Sequence, residues 1–127
     1  MIIDHVAIYT NDLESMRAFY IEYFEGQSSS MYHNPSTGFS SYFISFSSGA
    51  RLELMSSPRM VDADTSLFRK GIVHLSFKVG SVKNVNELTA RLHGDGYNVA
   101  SAPRTTGDGY YESCILDPEG NPIEITA

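Results

Sequence analysis

The sequence has a single cysteine, few basic residues and no long apolar run. One cysteine, Cys114, excludes an intramolecular disulfide framework and is typical of a reducing compartment. Nine basic residues are spread along a chain of net charge −6, so we expect no nucleic-acid or membrane-surface partner, since either would need a basic patch. No apolar run is long enough to span a membrane, and the N-terminus does not resemble a signal peptide. We therefore expect a cytoplasmic protein.

The chain nevertheless has enough apolar sequence to bury a core. It has 127 residues, of which 42% are hydrophobic and 12% aromatic, which is the size and composition of one ordinary domain. Residues 1–127 are therefore predicted to form a single domain. Within it, the pattern predicts a first module at residues 1–56, a polar linker at 57–71 and a second module at 72–127.

Four residues, His5, Glu53, His74 and Glu124, occupy matching positions in the two halves. The two histidines are 69 residues apart and the two glutamates are 71 apart, so the second half repeats the first with a two-residue insertion. The segment DHVAIYTNDLESMRAFYIEYF aligns with VHLSFKVGSVKNVNELTARL, and their apolar residues fall in register. Each half thus offers one His and one Glu at the same place in a repeated structural unit.

Strand periodicity predicts that the four residues point away from the core. Side chains alternate between the two faces of a strand. In HVAIY and VHLSFKV the apolar residues share one face, which leaves His5 and His74 on the other. In RLELM and PIEIT the flanking Leu and Ile residues point inward, which leaves Glu53 and Glu124 outward. A curved sheet would gather two imidazoles and two carboxylates.

Two neutral imidazoles and two carboxylates suit a divalent transition metal such as Ni, Co, Zn, Mn or Fe(II), with positions left for water or substrate. Taken singly, each residue has an ordinary interpretation, because an outward Glu on a strand is usually solvated and a lone His near the N-terminus usually has no function. The coincidence of face, repeat position and residue type favours one metal ion per site, held by His5, Glu53, His74 and Glu124.

The chain resembles the vicinal oxygen chelate superfamily (glyoxalases, bleomycin resistance proteins and dioxygenases). The similar segments are DHVAIYTNDLESMRAFY, RLEL, GIVHLSFKV and LDPEGNPIEI, and they cover essentially the whole chain. The resemblance implies an α+β fold of two tandem βαβββ modules whose mixed sheets curve into a metal-binding cup. It also implies that His5, Glu53, His74 and Glu124 are the metal ligands.

The ligand set is most similar to that of small bacterial glyoxalase I-like proteins. Dioxygenases and fosfomycin thiol transferases of the superfamily leave the mid-chain position free, whereas Glu53 fills it here. The resemblance implies a metal-dependent lyase or isomerase that forms an enediolate from a small oxygenated substrate. Glu124 matches the glutamate that acts as general base, and Glu53 matches its partner carboxylate, so both are assigned to catalysis.

Glutathione hemithioacetals are expected to be poor substrates. Glutathione-dependent glyoxalases have an Arg at the position of Tyr9 and an Asn shortly after the position of Glu53, where this chain reads MSSP from Met55. A basic residue is also expected before the last strands, where only Arg104 is available. Three alternatives stay open, namely a drug- or metabolite-binding protein without turnover, a dioxygenase, and an epimerase.

The resemblance also implies a homodimer with its sites at the interface. Two chains could exchange modules, so that His5 and Glu53 of one chain join His74 and Glu124 of the other, or one chain could close its own cup. A linker of about 15 residues can span about 50 Å when extended, which permits both arrangements.

The pattern predicts the following elements. Strands are expected at 2–9, 28–33, 39–46, 50–56, 72–79, 97–101, 110–117 and 122–126, and helices at 12–24 and 82–93. Asn11 or Asp12 should cap the first helix and Gly26 should end it. The loop at 105–109 is interpreted as either a lid over the metal or an ordinary hairpin. Cys114 is interpreted as a small core residue in preference to a nucleophile.

Overall fold

A computed structural model of the protein describes residues 1–62, 66, 68 and 70–127. The chain divides into two compact units, residues 1–63 and 64–127. The first unit contains β1 (His5–Tyr9), α1 (Leu13–Phe24), β2 (Gln27–Ser28), β3 (Tyr32–Asn34), β4 (Phe39–Ser45) and β5 (Arg51–Ser56). The second contains β6 (Leu75–Lys78), α2 (Val82–Gly94), β7 (Val99–Thr105), β8 (Tyr111–Leu116) and β9 (Pro122–Thr126).

Both units have the same sheet topology. In the first, the order is β1-β5-β4-β2, with β3 also paired to β4, and in the second it is β6-β9-β8-β7. The first strand of each unit pairs in parallel with the last, while the remaining pairings are antiparallel. The predicted α+β fold with two repeated modules and mixed sheets is therefore confirmed. In the first unit, β2 and β3 together take the place that β7 holds in the second.

One helix covers one face of each sheet and forms the core there. In the first unit α1 buries Met16, Phe19, Tyr20 and Phe24, and the strands bury Tyr42, Ile44, Leu52 and Leu54. In the second unit the buried apolar side chains are Val85, Leu92, Ile115, Ile123 and Ile125. Each such side chain contributes about 1.5–3 kcal/mol by leaving water. The opposite face carries Glu53 in the first sheet and Glu124 in the second.

Side-chain caps fix where both helices begin. Asp12 accepts a hydrogen bond from the Ser15 amide at 2.9 Å, and Ser81 accepts one from the Asn84 amide at 3.1 Å. Such caps satisfy amides that have no partner within the helix. Of the two predicted caps for α1, the structure selects Asp12.

Gly26 does not end α1 in the way the sequence predicts. The residue in the left-handed conformation is Glu25, with φ of 55°. Gly26 is needed for a different reason, because a Cβ placed there would lie 2.5 Å from Cγ2 of Ile44 and 2.9 Å from the carbonyl oxygen of Tyr20. It lets the chain turn from the helix into the sheet at close range.

Several predicted boundaries were wrong. The strands predicted at 2–9 and 72–79 begin only at His5 and Leu75, so His74 lies just before β6. The predicted strand 28–33 is split into β2 and β3, and β7 extends to Thr105 instead of ending at 101.

The loop at 105–109 is an ordinary hairpin turn. The Thr106 amide donates to the Tyr110 carbonyl at 2.8 Å, and the Gly109 amide donates to the Thr106 carbonyl at 3.0 Å. These bonds join β7 directly to β8.

The predicted linker at 57–71 falls partly on residues 63–65, 67 and 69, which lie outside the described residues. Over the part of the chain that the structure describes, neither helix is long and apolar enough to cross a membrane.

Candidate metal centre

In the first unit His5 and Glu53 lie side by side on the face opposite the core. Nε2 of His5 is 3.8 Å from Oε2 of Glu53, and the two side chains are 40% and 15% exposed. The parallel pairing explains their proximity, because His5 is the register partner of Arg51, two residues before Glu53 on the same face of β5.

The second unit repeats this arrangement with His74 and Glu124. Nε2 of His74 is 3.6 Å from Oε2 of Glu124, and the side chains are 45% and 20% exposed. Leu75 pairs in parallel with Ile123, so the residue before it again meets the carboxylate near the start of the last strand. Because the two units have the same topology, the repeated residues form two His–Glu pairs with nearly the same separation.

Both pairs fit a divalent metal. Two ligand atoms that each lie about 2.1 Å from a metal are about 3 to 3.5 Å apart at tetrahedral or octahedral angles. The observed separations of 3.8 and 3.6 Å are close to this range, and neither pair is fully buried. Within the described part of each unit, no third His, Cys, Asp or Glu completes a metal-binding group. Each unit thus brings together two of the four predicted ligands as one His–Glu pair.

Asp4 orients the imidazole of His5. The Nδ1 atom of His5 is 2.8 Å from Oδ2 of Asp4, and Nη2 of Arg51 donates to the same oxygen at 2.5 Å. Hydrogen bonds from His5 and Arg51 hold the pKa of the Asp4 carboxyl below its usual value. An ionised carboxylate only accepts, so Nδ1 carries the hydrogen and neutral His5 keeps a lone pair on Nε2. That lone pair is the one directed at the site of Glu53.

Glu124 accepts a hydrogen bond from a neighbouring side chain on the adjacent strand, and the corresponding neighbour of Glu53 has no donor. The Ser76 hydroxyl donates to Oε1 of Glu124 at 2.8 Å. Ser76 is the register partner of Glu124, whereas the register partner of Glu53 is Ala7, which has no side-chain donor. One carboxylate oxygen of Glu124 is therefore held by Ser76 while the other faces His74.

Glu112 is a further acid beside Glu124 that the sequence reasoning did not select. Burial raises the pKa of the Glu112 carboxyl, and the charge of Glu124 raises it further, while Arg104 opposes both. Nη2 of Arg104 lies 3.6 Å from Oε1 of Glu112. The alternation of side chains along β8 could have identified Glu112 from the sequence. Glu112 and Cys114 share a face of β8, and Cys114 pairs with Glu124.

The interpretation of Cys114 as a core residue was wrong. Its neighbours Ser113 and Ile115 are fully buried on the helix side, so Cys114 lies on the opposite face and is only half-buried. Burial raises the pKa of the thiol, and the charge of Glu124 adds to the effect. Because the thiolate is the reactive form, a raised pKa makes Cys114 a poor nucleophile.

The sequence profile of the Glyoxalase/Bleomycin resistance protein/Dioxygenase superfamily matches residues 2–125. The chain belongs to this superfamily. It is 26% identical to the uncharacterised Bacillus subtilis protein YqjT over 97% of this chain and 96% of that protein.

Solved structures show the same fold. A glyoxalase family protein from Enterococcus faecalis superposes with a TM-score of 0.79 at 23% identity, covering 98% of this chain and 96% of that one. A lactoylglutathione lyase from Agrobacterium tumefaciens gives a TM-score of 0.68 at 25% identity, covering 98% and 91%. The profile match establishes the superfamily and the solved structures establish the fold. The superfamily contains both enzymes and proteins that are not enzymes.

Proposed function

We propose that the protein is a metal-dependent lyase or isomerase, similar to glyoxalase I, that acts on a small compound with two neighbouring oxygens. The observation that carries the proposal is the pair of matched His–Glu contacts, 3.8 and 3.6 Å, at the same place in both units. His5, Glu53, His74 and Glu124 would together hold one divalent metal. We place the protein in the cytoplasm, as its cysteine content favours.

Glu124 is the proposed general base. A bound divalent cation would stabilise the negative charge that develops on the substrate oxygens. Glu124 removes a proton from the carbon next to a carbonyl and returns it to the neighbouring carbon. The hydrogen bond from Ser76 to Oε1 keeps the carboxylate oriented, and Glu112 lies close enough to hydrogen-bond with it. Glu53, beside Ala7, has the simpler role of a ligand and partner carboxylate.

The substrate is proposed to be something other than a glutathione hemithioacetal. Tyr9 is uncharged and 56% exposed at the position where the glutathione-dependent enzymes have an Arg. Its side chain could not form an ion pair with a glutathione carboxylate. Slow turnover of such hemithioacetals is therefore part of the proposal.

We further propose that two chains form a homodimer and complete each site together. Each chain would give His5 and Glu53 to one site, and His74 and Glu124 to the other. A two-fold dimer of this kind makes both sites equivalent.

Metal content tests the first step. Protein purified without a chelating tag should retain or take up about one divalent metal per chain. Thermal-shift titrations with Ni, Co, Zn and Mn should show a weaker response for Glu53→Gln than for the parent. Glu87→Gln, a change on the exposed surface of α2, is the control and should respond as the parent does. An unchanged response of Glu53→Gln would show that Glu53 is not a ligand.

Proton transfer tests the second step. Exchange of the carbon-bound hydrogens of hydroxyacetone and 2-hydroxyacetophenone with D₂O can be followed by NMR. Glu124→Gln should bind metal more weakly yet, when loaded, exchange about 10²–10⁴ times more slowly than the parent, the usual loss when a general base is removed. Full exchange by the loaded variant would assign the base to another residue. Tight binding of both ketones without any exchange by the parent would favour a binding protein.

A further inference from the structure

The two sheets differ in the chemistry of the faces that carry the His–Glu pairs. On the first sheet, strand alternation puts large apolar side chains on this face: Tyr9, Tyr32, Phe39, Phe43 and Met55. On the second sheet the same face carries mainly polar and charged side chains, among them Ser76, Lys78, Arg104 and Glu112. The repeat thus preserves the His–Glu pair while the surroundings diverge.

The apolar side chains of the first sheet lie in ordered rows across the strands. Tyr9 pairs with Met55, Met55 pairs with Ser41, and Ser41 pairs with Tyr32, which makes one row over β1, β5, β4 and β3. Neighbouring strands are about 4.8 Å apart, so the two tyrosines stand on either side of Met55, which is partly exposed, and of the small Ser41, which is buried.

This row is next to the candidate metal ligand. Glu53 precedes Met55 by two residues on the same face, which places the rows about 7 Å apart. Phe43, the register partner of Glu53, is held edge-on to His5 with the ring centroids 5.4 Å apart, and Arg51 stacks over it at 4.4 Å. Met55 is therefore within reach of a group attached to oxygens held near Glu53.

Tyr9 and Tyr32 are more exposed than side chains that pack in the core. Tyr9 and Tyr32 are each 56% exposed, and the ring of Tyr32 contacts Phe39 at a centroid distance of 6.2 Å. Packing another flat apolar group against an aromatic ring is energetically favourable. Sites for small molecules are lined by such side chains with a few polar groups to fix orientation.

We propose that the substrate carries an aromatic or similarly flat apolar group that packs on Met55 between Tyr9 and Tyr32. This inference rests on the proposed function, because it assumes that the oxygens of the same compound are bound near His5 and Glu53. It names the substrate class as an aryl compound with two neighbouring oxygens.

Two hydroxamates that share one chelating group test the inference. Benzohydroxamate carries a phenyl ring where acetohydroxamate carries a methyl group, so the ratio of their dissociation constants isolates the ring. The metal-loaded parent should bind benzohydroxamate about tenfold more tightly or better. Tyr9→Ala and Tyr32→Ala should each reduce this preference to about threefold or less, the change expected when a ring contact is lost.

Matched variants separate ring packing from loss of structure. Tyr9→Phe keeps the ring and should keep the preference. His33→Ala alters the opposite face of β3, where His33 bonds to Ser40, and should also keep it. Equal affinity of the parent for both hydroxamates, or a preference that survives both tyrosine-to-alanine changes, overturns the inference while leaving metal-dependent activity standing. A tyrosine-dependent preference in a protein that takes up no metal supports the ring site and overturns the proposed function.

Discussion

At the scale of single residues, Glu112 shows how the fold changes the charge state of a group. Burial and the neighbouring Glu124 raise its pKa, so the folded protein holds this proton more tightly than the unfolded chain does. A group with a raised folded-state pKa contributes stability below its unfolded pKa, and that stability is lost as the pH rises through the folded value. At neutral pH, ionised Glu112 therefore lowers the stability of the metal-free protein.

Replacing Glu112 by Gln should remove this loss. Thermal unfolding of the metal-free Glu112→Gln variant at pH 8 should occur at a higher temperature than that of the parent. The difference should shrink toward zero near pH 4, about the pKa of an unperturbed Glu. Glu87→Gln serves as the control and should change stability little at either pH. A Glu112→Gln variant that is less stable at pH 8 would mean that the contact with Arg104 outweighs burial.

Residue-level chemistry near the site was predictable only where a pattern repeated. His5, Glu53, His74 and Glu124 could be selected because period-two alternation and the repeat agree. Their assignment as metal ligands stays a prediction. Glu112 and Cys114 were not selected because the first half has no equivalent, since Phe43 stands opposite Glu53 where Cys114 stands opposite Glu124.

At the scale of elements, the junction between α1 and β2 depends on the missing side chain of Gly26. A methyl group there would meet Ile44 at 2.5 Å and the backbone oxygen of Tyr20 at 2.9 Å. The backbone cannot yield as a flexible side chain does, so Gly26→Ala should lower the free energy of unfolding by about 1–3 kcal/mol.

Chemical denaturation of Gly26→Ala and Gly94→Ala measures this effect with a matched control. Gly94 lies at the end of α2 with nothing within 4 Å of an added Cβ. Its replacement by Ala should therefore be neutral or slightly stabilising. Equal effects of the two changes would contradict the close-packing role of Gly26.

Helices and strands were predictable in type and order, but their lengths were not, and one predicted strand is two strands in the structure, β2 and β3. The apolar run Ile2–Ile3 continues the β1 pattern, yet the strand begins at His5 because its partner β5 begins at Arg51. Likewise β7 continues to Thr105 because β8 is there to pair with it. A strand ends where its partner ends, and the sequence pattern of one segment alone does not show where its partner will end.

At the scale of the whole molecule, exchange of modules between two chains has a direct test. His5→Ala and His74→Ala should each impair metal binding when alone. If sites are shared between chains, a mixed dimer has one site with both defects and one with none. Mixing equal amounts under conditions that allow subunit exchange should then restore about a quarter of the parental sites, since half the dimers are mixed.

The outcome separates the two arrangements that the linker length permits. In a chain that closes its own site, every site of the mixture keeps one defect and metal binding stays impaired. The control is a mixture of Glu53→Gln with His5→Ala, which damage the same half and should not rescue each other in either arrangement. Rescue in that control would show that the measurement reports something other than shared sites.

The parallel pairing of first and last strands also determines when a site can exist during folding. The members of the two His–Glu pairs are 48 and 50 residues apart, so each contact closes a loop that includes almost a whole unit. Contacts of such long separation form slowly, because the entropy of loop closure is lost before they stabilise anything. A chain on the ribosome has no first pair until β5 has emerged, even though His5 is made almost at once. Metal binding at the proposed site should accordingly be a late event that reports completed folding.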